Sequence, residues 1–129
     1  MRGGQPSRRR AARARLGRLG EWLARAFFVL RGYRVVATNW RDHCGEIDLV
    51  VARGDHVRIV EVRTVRAGRG TTATALVPDA KRRQVLRVAA HLRARLDLRD
   101  CIVSHDVVTV RFRWGVVPHL RWYPNALQS

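Results

Sequence analysis

Apolar residues recur along the chain at two spacings, and the spacing changes from helical to alternating near residue 32. Leu16, Leu19, Leu23, Ala26, Phe27 and Leu30 fall three or four apart, which predicts an amphipathic helix over Ala12 to Arg31, with Gly32 as its stop. Gly17, Gly20, Ala24 and Phe28 form a second stripe on that helix, small enough to admit another backbone, so burial on two sides is expected. β-Branched and aromatic residues then crowd into three strands: Tyr33 to Trp40, Gly45 to Arg53 and Val57 to Val65. Pro78 opens a second helix running to Leu96, with Val85, Ala89, Leu92 and Leu96 as its buried stripe. Ile102 to Arg113 predicts a fourth strand, Gly115 a turn, and Val116 to Trp122 a fifth strand. The order α-β-β-β-α-β-β predicts an α/β domain with a mixed sheet. Its third and fourth strands, joined through a helix, should run parallel.

Gly54-Asp55 reads as a two-residue hairpin loop between the second and third strands. That loop sets the register, placing Asp48 opposite Glu61 and Glu46 opposite Arg63. Opposed residues have Cβ atoms about 4.5–5.5 Å apart, and like charges there are destabilising. Alternation puts Asp48 on the face of Val50, and Glu61 on the face of Val57 and Ile59. Two carboxylates forced together at the edge of a core point to a divalent cation, since Mg²⁺ binds through one or two carboxylates and shares its other positions with water and substrate phosphate. The competing reading is that Asp48 pairs with a nearby Arg while Glu61 is a rim charge; on pattern alone the two readings weigh equally.

Charge shifts that balance. Lys plus Arg number 26 and Asp plus Glu 10 in 129 residues, a net charge of +16. A surface so positive attracts polyanions, nucleic acids or acidic membranes. The seven arginines of residues 1–20 stand without an acid. Residues 1–11 read as a flexible basic arm and 12–129 as one domain. The acid-free arginine run also fits a mitochondrial presequence, a lesser alternative. The longest strictly apolar run, Ala26 to Leu30, is far too short to span a bilayer. Cys44 and Cys101 make no disulfide framework, so a cytoplasmic protein with reduced thiols is expected, with no membrane role. Lys81 is the only lysine beside 25 arginines, so any single Arg says little about a need for guanidinium geometry.

Gly45-Glu46-Ile47-Asp48-Leu49-Val50 followed by Ile59-Val60-Glu61-Val62-Arg63 resembles the motif of the PD-(D/E)XK, or restriction-endonuclease-like, nuclease superfamily. With Gly17-x-x-Gly20-Glu21-x-x-Ala24, Gly32-Tyr33, Asn39-Trp40-Arg41 and Lys81, the chain is similar more closely to the YraN family of predicted endonucleases, over Leu16 to Val110. The resemblance implies a three-layer core. It implies Mg²⁺ (or Mn²⁺) held by Asp48, Glu61 and the Val62 carbonyl, with Glu21 as an accessory acid whose plain alternative is an i,i+4 ion pair with Arg25. Arg63 stands where the superfamily has a Lys. Arg cannot act as a base, but it can orient water or stabilise phosphoryl charge. Lys81, on the sheet-facing stripe of the second helix, is a candidate substitute, with Gln84 beside it as a phosphate contact; a helix Lys that merely snorkels is the plain reading.

The expected function is therefore a metal-dependent endonuclease hydrolysing phosphodiester bonds. The alternatives are an inactive nucleic-acid-binding module on the same fold and a basic accessory protein of a ribonucleoprotein. The expected partner is nucleic acid, DNA ahead of RNA; the resemblance also allows a homodimer, because many duplex-cutting relatives act in pairs, though the sequence names no surface for it. Arg8, Arg9, Arg10, Arg66 and Arg69 are expected phosphate contacts that read no sequence. Asp106 reads as structural, and Trp40, Trp114 and Trp122 as packing before base stacking. Gly68-Arg69-Gly70-Thr71-Thr72 lacks the Lys-Ser/Thr of a phosphate loop. His43-Cys44 and Cys101-x-x-x-His105 form no recognised zinc pattern and are expected to be satisfied loop and strand residues.

Overall fold

The computed structural model describes residues 7–66, 77–113 and 116–127. Ser7 caps helix α1 (Arg8–Val29), its Oγ accepting from the Arg10 N–H at 3.3 Å. The helix starts four residues earlier than the apolar pattern predicts, so Arg8, Arg9 and Arg10 ride on its first turn rather than on a flexible arm. The cap satisfies one of the end donors that have no partner within the helix.

Strands β1 (Arg34–Asp42), β2 (Gly45–Arg53) and β3 (His56–Arg66) follow, then helix α2 (Asp79–Arg95), β4 (Ile102–Arg113) and β5 (Val116–Tyr123). The strands lie in the order β1-β2-β3-β4-β5. All neighbours are antiparallel except β3 and β4, which run parallel because α2 carries the chain across between them. The β2–β3 register is the one the Gly54-Asp55 loop dictates, from Arg53 opposite His56 to Leu49 opposite Val60.

A helix covers each face of the sheet, giving three layers. Leu49, Val51, Val60, Val62, Val108 and Val110 pack with Ala24 and Phe28 of α1. Ile47, Val50, Ala52, Val57 and Ile59 pack on the other face with Val85, Val88, Ala89 and Leu92 of α2. On α1 the expected burial on two sides is not found: only members of the small-residue stripe are fully buried. Gly20, Ala24 and Phe28 are the buried residues, while Leu19 is 45% and Leu30 85% exposed. The reason is close approach: a Cβ on Gly20 would lie 2.8 Å from Thr64 Oγ1 of β3, so the helix rests its backbone on the sheet and its leucines fall to the sides.

The end of the sheet near the Gly54-Asp55 loop is locked by a buried ion pair. Arg58 donates to Asp106 Oδ2 at 2.8 Å, to Tyr33 Oη at 2.9 Å and to Ser104 Oγ at 3.1 Å. Trp122 Nε1 donates to the same Asp106 oxygen, and the Asn125 N–H to the other. Asp106 is thus structural, and Trp122, edge-on to Phe27, Phe28 and Tyr33, is packing. Asp106→Ala would strand the Arg58 charge, and a loss of about 3 kcal/mol or more in denaturant-measured stability is expected.

Candidate metal centre

The alternation of β2 breaks at Asp48. Ile47 and Val50 both face α2, whereas Leu49 and Val51 face α1. In β1 the matching position is Asn39, which takes a left-handed conformation at φ 49° between Thr38 opposite Leu49 and Trp40 opposite Ile47. Asn and Asp tolerate that conformation best after Gly. The break gives Asp48 access to both layers, instead of the simple place beside Val50 that alternation predicts.

β2 and β3 stop pairing just beyond Leu49 and Val60. There Asp48 Oδ2 accepts the Val62 N–H at 2.8 Å, a bond that substitutes a side chain for the next rung of the ladder. Glu61 stands against Asp48 across this gap. The two are 8% and 3% exposed, in a chain of net charge +16. Glu46 does not pair with Arg63 as the extended register predicts. The ladder ends before reaching them, so Glu46 takes its β1 neighbour Arg41 at 2.8 Å, and Arg63 takes Glu61 at 3.4 Å.

Burial, then the Asp48 charge, pushes the Glu61 carboxyl up to about 8. Burial also raises Asp48, against the Val62 N–H that favours its charged form. Glu21 reaches the same place from α1. It hydrogen-bonds Asn39, feels Arg18, and is raised by burial first and the Asp48 charge second. Lys81, in the first turn of α2, lies close enough to lower both Asp48 and Glu61 electrostatically. Its Nζ also reaches Gln84 Oε1 at 3.5 Å. Gln84 lies flat on Gly45, where a Cβ would sit 2.6 Å from its Cδ.

A cavity of about 220 Å³ opens beside Asp48, lined by Arg18, Glu21, Trp22, Arg25, Thr38, Asn39 and Leu49. Trp22 is 56% exposed there, an aromatic surface that the sequence reading passed over. Trp40 packs against the α2-side core. The Arg8, Arg9 and Arg10 side chains are exposed. The Arg66 side chain, Arg69 and Trp114 lie outside the described residues.

The donors fit a hard cation. Glu61 Oε2 is buried without a hydrogen-bond donor, and its neighbour Asp48, which Glu21 approaches from the α1 side, offers oxygen only. A proton shared within the pair or a divalent ion is what relieves such an atom.

The sequence pattern described as "Uncharacterised protein family UPF0102" matches residues 20–110. A UPF0102 protein of Maricaulis maris is 38% identical over 121 residues, 91% of either chain. One of Renibacterium salmoninarum is 46% identical over 105 residues, 81% of this chain and 89% of the relative. One of Symbiobacterium thermophilum is 40% identical over 96 residues, 74% of this chain and 81% of the relative.

Proposed function

Given that the chain belongs to the uncharacterised protein family UPF0102, the YraN family, we propose that it is a divalent-metal-dependent endonuclease acting on nucleic acid. The observation that carries this reading is the buried Asp48–Glu61 pair, with one carboxylate oxygen lacking a donor, in a strongly cationic protein. Asp48 and Glu61 would hold Mg²⁺ or Mn²⁺, with the Val62 carbonyl and Glu21 as further oxygen donors. A bound ion supplies a water of lowered pKa and positive charge at the phosphoryl oxygen.

The chain's own residues do the rest. Arg63, tied to Glu61, faces the reacting phosphate as a fixed cation and cannot take a proton from water. Lys81, within electrostatic reach of both acids, positions the phosphate from the α2 side. Arg18 and Arg25 line the approach beside Asp48, and Trp22 offers a stacking surface for a base. Arg8, Arg9 and Arg10 bind backbone phosphates without reading sequence, and binding should weaken steeply with added salt.

A second reading has its own support: the Lys of the superfamily motif is Arg63 here, and that Arg is ion-paired, which suits a binding module that has lost catalysis. The test is purified protein with Mg²⁺ or Mn²⁺ against linear, single-stranded and branched DNA and against RNA. Cleavage that chelator abolishes is expected. Retained binding with no cleavage of any substrate favours the binding module instead.

A further inference from the structure

The turn between β1 and β2 and the C-terminal part of α2 meet at a second cluster, chemically unlike the first. His43, Cys44 and His91 each bring one ligating atom, all within 4.8 Å of one another. Nitrogen and sulfur donors select transition metals, where the oxygen set at Asp48 selects Mg²⁺ or Mn²⁺. Asp42 holds two of the three in place. His91 Nδ1 bonds Asp42 Oδ2 at 2.7 Å, leaving Nε2 free to ligate. The other oxygen of Asp42 accepts the Cys44 N–H at 2.7 Å and fixes the turn that carries the thiol. The His43 and His91 rings stack with centroids 5.4 Å apart.

We infer that His43, Cys44 and His91 form a Zn²⁺-class site, with Asp42 orienting His91 and a fourth position open to water. Bonds of about 2.0–2.3 Å bring tetrahedral ligand atoms to roughly 3.5 Å from one another, so closing the site asks a shift of about 1 Å. Rotation of the exposed His43 side chain supplies that shift. The ion clamps the hairpin end onto α2. His91 lies ten residues along α2 from Lys81, about 15 Å at the helical rise, so this site is separate from the carboxylate pair. The inference does not depend on nuclease activity. Linear spacing gives His43-Cys44 no recognised zinc pattern; the partner is His91, distant in the chain, and neither Cys101, packed against the α2-side core, nor His105, buried on β4.

The test is Co²⁺ and Zn²⁺ titration of chelator-treated protein in excess Mg²⁺. Expected is one ion bound per chain, with a thiolate-to-cobalt charge-transfer band and a raised melting temperature on adding Zn²⁺. Cys44→Ser should remove the band, and His91→Ala and Asp42→Asn should weaken binding about 10–100-fold. Asp48→Asn should leave the band unchanged, which separates this site from the carboxylate centre. Absence of the band in the wild type, its survival in Cys44→Ser, or affinity unmoved by both His43→Ala and His91→Ala would each overturn the site. Melting temperatures in chelator confirm that each variant is folded.

Discussion

Replacing Asp48 by Asn is expected to lower metal-dependent cleavage by on the order of 10³-fold, while duplex binding at low salt stays close to wild type. The cleavage estimate follows from several kcal/mol of charge stabilisation by a metal, at about 1.4 kcal/mol per factor of ten. Binding survives because it comes from the cationic surface, which the substitution leaves untouched. The fold survives because Asn Oδ1 can still accept the Val62 N–H that Asp48 now accepts. Cleavage and binding measured on the same preparation therefore separate a lost metal site from a lost structure. Lys81→Ala belongs in the same series. Its expected effect is a lower rate at saturating metal, and activity equal to wild type would remove Lys81 from the mechanism.

The second large effect is on stability. The folded-state Glu61 carboxyl sits near 8 against an ordinary value of 4.5, chiefly through burial and then through Asp48. A group whose folded value is raised binds its proton more tightly in the native state. Its stabilisation is full below the ordinary value and is lost as pH rises through the folded one. Metal-free protein should therefore lose on the order of 4 kcal/mol between pH 5 and pH 9. Mg²⁺ should restore much of this at pH 9 and little at pH 5, because ion and proton relieve the same pair. Glu61→Gln serves as the control: its amide can donate to Asp48, so both the pH slope from this pair and the Mg²⁺ response should flatten. Thermal melts in chelator and in Mg²⁺ at the two pH values read this directly. A wild type and a Glu61→Gln variant with the same pH and Mg²⁺ dependence would refute the coupling.

The element order, the parallel β3–β4 pair and the meeting of Asp48 with Glu61 were legible in the sequence because local chemistry determines them. A two-residue loop at Gly54-Asp55 admits one register, and a helix between two strands requires a crossover. The ranking of the α1 stripes was not legible. Residue volume favours Leu16, Leu19 and Leu30, but contact distance favours Gly20 and Ala24, and only the sheet beneath decides. Nor did the sequence announce the fault at Asn39. A left-handed Asn inside a strand has no periodic signature, yet Asn39 lies opposite the point where β2 leaves its alternation at Asp48. Glu46 meets Arg41 rather than Arg63 because the β2–β3 ladder ends at Leu49 and Val60, short of both residues. His91 was invisible as a partner of Cys44 because the two are joined only by the packing of α2 on the β1–β2 turn.

The most direct test is anomalous diffraction from crystals grown or soaked with Mn²⁺ at pH 8. Expected is one strong peak between the Asp48 and Glu61 carboxylates, about 2.0–2.3 Å from an oxygen of each, that disappears in Asp48→Asn. A map with no peak there at millimolar Mn²⁺, with both carboxylates in place, would contradict a shared ion and leave a cationic nucleic-acid binder.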